Sequence, residues 1–194
     1  MYDDGHRVDN IPVHKRFLTH YSHFFKRAFA PGTEETRRRA MRITVMRYVR
    51  PDVFQVYLGW VYSQQITMTP ETTQTQQALV DLWRLAEKFA TPRLQNQAAD
   101  LLYAIMFRDG VDVALDLNHI YDSAHNQSPL RRVLVFAFAS PALRWDMFTD
   151  AMLPKHLLFK LVKTYKQAHD ARRDMAKPLN DEERMRQFHV IEEL

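Results

Sequence analysis

Three histidines near the start of the chain are the first side chains whose spacing could serve chemistry. His14, His20 and His23 fall within ten residues, and the chain has 9 histidines in all. A metal site needs imidazole or carboxylate ligands that converge on one point, and no second cluster of acids and histidines with matching helical spacing accompanies these three. Cysteine is absent, which excludes thiolate metal sites and disulfides. We predict no metal site and no cofactor.

Signals for catalysis are equally sparse. The chain contains only 4 glycines and has no nucleophile elbow, phosphate-binding loop or zinc-protease motif. Its adjacent acids, such as Glu34-Glu35 and Glu182-Glu183, lie in charged segments where carboxylates are expected to stay solvated. General acid–base catalysis would need burial to shift the pKa of one of them. The sequence therefore predicts a protein that is not an enzyme.

A run of arginines suggests a different chemistry. Between Arg37 and Arg50 there are six arginines and no acid, and Arg37, Arg38 and Arg39 are consecutive. Clustered arginines can neutralise phosphates, so a nucleic-acid-associated or transcription-linked role is one interpretation, and a short nuclear-import signal is another. No recognition helix, zinc module or interleaved aromatic pattern accompanies the run. A solvated loop or a protein-facing patch is the favoured interpretation, and nucleic acid is an unfavoured partner.

Helices must position these residues, because helical spacing dominates the sequence. One continuous apolar stripe consists of Leu79, Leu82, Trp83, Ala86, Phe89 and Ala90. Val53–Tyr62 is apolar nearly all round, which predicts a helix buried on most sides. About seven or eight helices are expected, together with a small sheet whose strands lie near Asp9–His14 and Met41–Met46. The fold class is therefore α+β and dominated by helices.

Three helix starts share one device, a hydroxyl residue followed by proline. The hydroxyl is expected to cap the helix by accepting a backbone N–H, while proline lacks the N–H that would be left without a partner. The three pairs are Thr91-Pro92, Ser128-Pro129 and Ser140-Pro141.

The remaining segments predict a soluble, partly exposed chain. Ala30–Ala40 begins with a Pro-Gly pair and is strongly charged, so we expect an exposed loop. The tail from Ala168 onward mixes acids and bases, which predicts a loosely packed helix or disorder. The most hydrophobic uninterrupted stretch, Val133–Leu143, has 11 residues, whereas a membrane-spanning helix needs about 20. No signal peptide is recognised, so the expected location is the cytoplasm and/or the nucleus, with no membrane partner.

The segment Val13–Phe29 resembles the opening of BTB/POZ domains, especially those of filamentous fungi. The residues that carry the resemblance are Val13, His14, Lys15, Leu18, Ser22, Phe24, Phe25 and Lys26. Later signals follow in the family's order, namely a short strand at Arg42–Met46, Pro51, Trp60-Val61-Tyr62-Ser63, Leu79–Phe89, Pro92 and Ser128–Arg132. The resemblance covers residues 10–107 well and residues 111–165 more loosely.

The resemblance implies a BTB/POZ fold with a small sheet and a C-terminal helical extension. We therefore divide the chain into a leader (1–9), a BTB/POZ domain (10–107), a helical extension (108–168) and a charged tail (169–194). Family members usually carry two strands before the His-Lys pair, but thirteen residues precede His14 here. The first strand is expected to be missing, through a truncated gene model or the loss of an edge strand, and a homodimer would be weakened.

The family's function is non-catalytic protein–protein interaction, which implies self-association or bridging with other proteins as partners. Some members recruit a cullin-type ubiquitin ligase as substrate adaptors, through an apolar residue followed two positions later by an acid. Thr33 and Glu35 occupy those positions. Because threonine has one methyl group and a hydroxyl that must be desolvated, we expect weak or absent cullin binding.

Two sets of site residues follow from the resemblance and the charge pattern. The candidate partner interface consists of Thr33, Glu35, Arg37, Arg38 and Arg39. The family-motif residues His14, Lys15, Leu18, Ser22, Phe24 and Phe25 are expected to be structural, with a contact role as the alternative. Ser22 should cap a helix at His23–Phe29, and a buried His14 would need partners for both ring nitrogens.

Overall fold

A computed structural model of the chain describes residues 2–3, 6–7, 11–38, 50–68, 75–125, 127–140, 142–171, 174 and 177–192. Within these residues the helices are α1 (Lys15–Tyr21), α2 (His23–Ala28), α3 (Glu34–Arg38), α4 (Pro51–Ser63), α5 (Thr75–Lys88), α6 (Pro92–Asp109), α7 (Leu117–Ser123), α8 (Pro129–Ala137), α9 (Lys155–Asp170) and α10 (Asp181–Phe188). Two 3-10 turns lie at Trp145–Met147 and Asp150–Met152. The helix-dominated fold is confirmed.

The small sheet is not confirmed. The described strands are β1 (Tyr2–Asp3) and β2 (His6–Arg7), an antiparallel pair in which Tyr2 lies opposite Arg7. The strand predicted near Asp9–His14 is irregular over residues 11–14, and Met41–Met46 lies outside the described residues. In the irregular stretch Pro12 has no N–H for a ladder, and the backbone N–H of His14 donates to the Tyr62 hydroxyl at 3.0 Å.

Two apolar clusters share the helix pair α5–α6. The first cluster joins α1, α2 and α4 to one side of this pair and contains Leu18, Phe25, Trp60 and Leu82. The second joins the other side to α7–α10, with Trp83 and Leu102 among its members. Leu18 and Phe25 of the hairpin thus share a cluster with Trp60 and Leu82, whereas Leu101 of α6 packs on the second cluster. Because α5 contributes to both clusters, the N-terminal and C-terminal helices are held to one common pair.

Two of the three hydroxyl-proline pairs begin helices, but neither does so by the expected capping bond. Pro92 and Pro129 are the first residues of α6 and α8, as predicted. The side chains of Thr91 and Ser128 make no capping bond; Thr91 instead lies 3.2 Å from the hydroxyl of Tyr57. The Ser140 hydroxyl accepts the N–H of Ala142 at 3.1 Å, but residues 142–144 are a turn and irregular backbone, so the helix start predicted at Ser140-Pro141 is wrong; Pro141 itself lies outside the described residues.

Two segments differ from their sequence-based expectation. The exposed loop predicted at Ala30–Ala40 contains the helix α3, which begins after Thr33. The tail also returns to the core, because the side chains of Leu179 and Phe188 are buried in the second cluster. Asn180 and Glu183 form a reciprocal capping box at the start of α10, a pattern that the sequence carried and that predicts a helix start.

A polar bridge ties the end of α6 to the start of α5. The Gln76 side chain donates to the carbonyl of Gly110 at 2.7 Å and accepts the N–H of Asp112 at 2.8 Å. Gly110 has a φ of +87°, which side chains other than glycine rarely adopt. The chain therefore leaves α6 toward the helical extension through a turn that glycine permits and Gln76 fixes.

Candidate interaction surface

Ser22 holds the hinge between α1 and α2, and its predicted capping role is confirmed. Its hydroxyl accepts the N–H of Phe25 at 3.1 Å and donates to the carbonyl of Phe89 at 2.5 Å. The side chain is buried, so both bonds are shielded from water. One hydroxyl thus starts α2 and fastens the α1–α2 hairpin to the end of α5. The helix itself ends at Ala28, one residue before the predicted end.

Tyr57 completes the buried polar group around this hinge. Its hydroxyl lies 3.2 Å from Thr91, and burial raises the pKa of Tyr57 to about 12. Because the hydroxyl is neutral throughout the physiological range, it can serve as a hydrogen-bonding group without the cost of a buried charge. Ser22, Tyr57 and Thr91 are all buried, so the arrangement is structural in character.

Replacing Ser22 by alanine should lower the free energy of unfolding by about 1–2 kcal/mol, since it removes a cap and one of the bonds to a buried carbonyl. The loss is limited because the Thr91 hydroxyl also donates to the Phe89 carbonyl, at 3.4 Å. Urea denaturation measures the effect. Ser63→Ala is the matched control, because Ser63 is exposed at the end of α4. Equal losses in the two variants would contradict the role of Ser22.

His14 is exposed rather than buried, and it lies in an aromatic cluster. Its Nδ1 is 3.1 Å from the Tyr62 hydroxyl. The ring centroids of Phe17 and Tyr62 are 5.0 Å apart, and these two side chains are 40% and 45% exposed. We call His14, Phe17 and Tyr62 the α1–α4 aromatic surface. Water-exposed aromatic rings held in a fixed arrangement favour contact with another protein.

The other family-motif residues support this hairpin. Leu18 and Phe25 are buried in the first cluster, and Phe24 packs against it. The ammonium group of Lys15 lies 5.5 Å from the centroid of the Phe29 ring, a distance suited to a cation–π contact. These contacts fit the structural role that the sequence predicted, whereas His14 is placed at the surface.

Thr33 directs its hydroxyl to the backbone of its own segment. It donates to the carbonyl of Ala30 at 2.8 Å and accepts the N–H of Thr36 at 3.4 Å. It therefore caps α3, while Glu35 lies half-buried in the first turn. The position that an apolar side chain would occupy in a cullin-binding member is used here for local hydrogen bonding. Capping is a role that the sequence analysis missed, although a threonine just before two acids was its signal.

The described arginines of the basic run are paired with acids. Arg37 and Arg38 both contact the carboxylate of Glu34, the latter at 2.6 Å. Arg50 pairs with Asp52, and this hydrogen bond raises the pKa of Arg50 and lowers that of Asp52. Arg39 lies outside the described residues. Where it can be described, the run is thus a set of local ion pairs and not a bare cationic surface.

The described part of the chain contains neither a metal-ligating cluster nor a membrane-spanning helix. Across these residues no group of three histidine, aspartate or glutamate side chains could hold a metal ion. None of the helices so described is long and apolar enough to cross a bilayer.

The α1–α4 aromatic surface is the feature that the sequence analysis did not identify. Tyr62 was assigned to a helix buried on most sides, and Phe17 was not singled out. Six residues of α4 are buried, but Tyr62 lies on its outer face near the C-terminal end. An all-apolar helix carries no signal of which side remains open, so only the packing of α1 against α4 reveals it.

Comparison with known proteins identifies the first half of the chain. The family model described as the BTB/POZ domain matches residues 6–105, which is 100 of the 194 residues. Searches of curated proteins and of solved structures gave no match. The closer resemblance to fungal members stays a prediction. Since the match covers more than half of its length and includes the α1–α2 hairpin, α4, α5 and most of α6, the chain belongs to the BTB/POZ domain family.

Proposed function

We propose that this chain is a non-catalytic interaction module that self-associates through the α1–α4 aromatic surface and so bridges other proteins. BTB/POZ domains are in general protein–protein interaction modules. The observation that carries the proposal is the contact of His14, Phe17 and Tyr62 on the outside of the matched region. Ile11, three residues before His14, is exposed as well and adds apolar area to the same end of α1.

The ring contacts favour an ordered binding surface over a solvated one. The ring centroids of His14 and Phe17 are 6.2 Å apart, and those of His14 and Tyr62 are 5.9 Å apart. Both ring pairs are arranged edge to face. The backbone N–H of His14 also donates to Tyr62, so α1 and α4 are joined at this point. Rings held in place lose little conformational entropy on binding, which increases the affinity obtained from a given area.

Sedimentation velocity of the full chain over a range of concentrations tests the proposal. We expect a reversible dimer, and we expect Phe17→Asp to weaken it by at least about tenfold. Phe159→Asp is the matched control, since it places the same charge at an exposed phenylalanine of α9. A second variant, Tyr62→Ser, tests the same surface from α4, so that the conclusion does not depend on Phe17 alone. A chain that is monomeric at every concentration, or a dimer that resists both variants, would overturn the proposal.

The substrate-adaptor role leads to a separate prediction. Calorimetry of the full chain against a cullin N-terminal domain should detect weak binding or none, because burial of an apolar side chain at the position of Thr33 would supply roughly 1.5–3 kcal/mol that threonine lacks. Thr33→Phe should strengthen binding if the local geometry tolerates loss of the cap. Sub-micromolar affinity of the unmodified chain would contradict the prediction and support an adaptor role.

The alternative function, nucleic-acid association through the arginine run, is tested in the same chain. Replacing Arg37, Arg38 and Arg39 by glutamine should change stability by no more than about 0.5 kcal/mol per site and leave self-association intact. Binding to heparin or duplex DNA should be weak at two salt concentrations, before and after the change. A large loss of DNA affinity with a shallower salt dependence would favour the alternative instead.

A further inference from the structure

The outer side of α9 carries apolar side chains that the fold leaves in water. The helix packs on α8 through Leu157 and Leu161, which are buried in the second cluster. Phe159 and Val162 lie on the opposite side and are 73% and 69% exposed. Leu158 and Tyr165 lie between these two and the buried side, and they are 37% and 42% exposed. We call Leu158, Phe159, Val162 and Tyr165 the outer seam of α9.

The spacing of the outer seam is that of a helix-pairing surface. Leu158, Val162 and Tyr165 stand at i, i+4 and i+7, which places them in one line along the helix. Phe159 lies beside this line, one turn before Lys163. A partner helix could seat its own apolar side chains between these four, in the manner of a helix that binds along a groove or a neighbouring helix.

The charges that α9 itself places around the outer seam are of one sign. Lys155, Lys163 and Lys166 are exposed on this side of α9, and no acid occurs in the helix before Asp170. Such a surface repels a second copy of itself and attracts carboxylates. We therefore propose that the outer seam of α9 binds an acidic amphipathic helix of a partner protein, at a site separate from the self-association surface.

The placement of the lysines argues against a lipid surface as the occupant. At 100° per residue, Lys155 and Lys166 lie within about 60° of Phe159 and Val162 around the helix axis, so they share the same face. Insertion of that face into hydrocarbon would bury two ammonium groups without partners, whereas a protein helix can supply carboxylates at matching positions. Nucleic acid is disfavoured as well, because its phosphates make no favourable contact with the exposed side chains of Phe159 and Val162.

Fluorescence anisotropy with synthetic peptides tests the inference on the full chain. The probe is a helical peptide with leucines at i, i+4 and i+7 flanked by glutamates, and its control is a scrambled peptide of the same composition. We expect the amphipathic peptide to bind at least about tenfold more tightly than the scrambled one, with affinity that falls as salt is raised. Phe159→Asp and Val162→Asp should each reduce binding by about tenfold or more.

Matched variants separate this effect from damage to the fold. Met185→Asp places an acid at an exposed apolar residue of α10 and should leave peptide binding unchanged. Lys163→Glu with Lys166→Glu should weaken binding while all apolar contacts remain. Equal binding of the two peptides, absence of binding to the amphipathic peptide, or tighter binding to phosphatidylserine vesicles or duplex DNA would overturn the inference. These outcomes do not depend on self-association, so the effect of Phe17→Asp on the dimer remains a separate test of the proposed function.

Discussion

Replacing Trp60 by alanine should lower the free energy of unfolding by about 3–5 kcal/mol, the usual cost of deleting a fully buried large aromatic side chain. Trp60 has no exposed surface in α4, and its ring packs edge-on against Tyr21 at 5.6 Å. Its indole N–H also donates to the Gln97 side chain at 2.7 Å. The variant thus leaves both a cavity between α1 and α4 and an amide oxygen without its donor.

Denaturation in urea measures this loss, and Trp145→Ala is the matched control. Trp145 lies in a 3-10 turn after α8 and is 45% exposed, although its ring contacts Phe138. We expect its removal to cost less than about 1.5 kcal/mol. A loss below about 1 kcal/mol for Trp60→Ala would mean that α4 does not lie in the core.

Gly110→Ala should lower the free energy of unfolding by roughly 2–5 kcal/mol, because backbone strain and overpacking act together at this position. The positive φ of +87° disfavours any residue with a Cβ. A Cβ added there would lie 2.8 Å from the carbonyl oxygen of Ala142, and a backbone atom cannot turn aside as a side chain can. The polar bridge from Gln76 ends on this same residue, so its geometry would be disturbed too.

The other described glycines, Gly32 and Gly59, separate backbone strain from overpacking. Gly32 shares a positive φ of +89° but has open space around it, so Gly32→Ala should cost about 1–2 kcal/mol from the backbone alone. A Cβ on Gly59 would also meet open space, within the helix α4, and Gly59→Ala should add about 0.5–1 kcal/mol of stability. Thermal and urea unfolding of the three variants gives the order. A Gly110→Ala loss no larger than that of Gly32→Ala would contradict the close approach to Ala142.

These two predictions bear on how the parts of the chain depend on each other. Trp60 belongs to the first cluster and Gly110 lies beside the second, yet both clusters are built on α5 and α6. Damage at either site should therefore reduce the stability of the shared helix pair. We expect a single unfolding transition for the BTB/POZ domain and its helical extension, as for other small cooperative units.

The outline of the fold could be predicted from local patterns. Apolar residues at helical spacing identified α5, because a helix with such a stripe is stable in water when the stripe is buried against other elements. The Ser22 cap could be predicted as well, since a hydroxyl before a helix has few other uses. The residues of Val13–Phe29 that carry the family resemblance could also be recognised in the sequence. Most of them contact only the α1–α2 hairpin itself or the helices beside it.

Other features depended on which long-range contact prevailed. Thr91 has the sequence of a capping residue, but the buried hydroxyl of Tyr57, 34 positions away, became its partner. The tail from Ala168 is polar enough to suggest disorder, yet Tyr103 accepts the N–H of Leu179 at 2.9 Å and Phe188 is buried. Composition averages over a segment, whereas packing depends on the few apolar side chains that find a site.

Both proposed binding surfaces also depend on long-range contacts. Tyr62 lies in an apolar stretch whose sequence predicts burial and Val162 in the amphipathic helix α9, yet both side chains are exposed. Sequence by itself determined the long apolar helices such as α4 and α5, the Ser22 cap that starts α2 and the absence of cysteine chemistry, all of which follow from residue type and spacing. Only the tertiary structure decided which apolar faces stay uncovered, because that depends on how many helices can pack around the shared pair α5–α6.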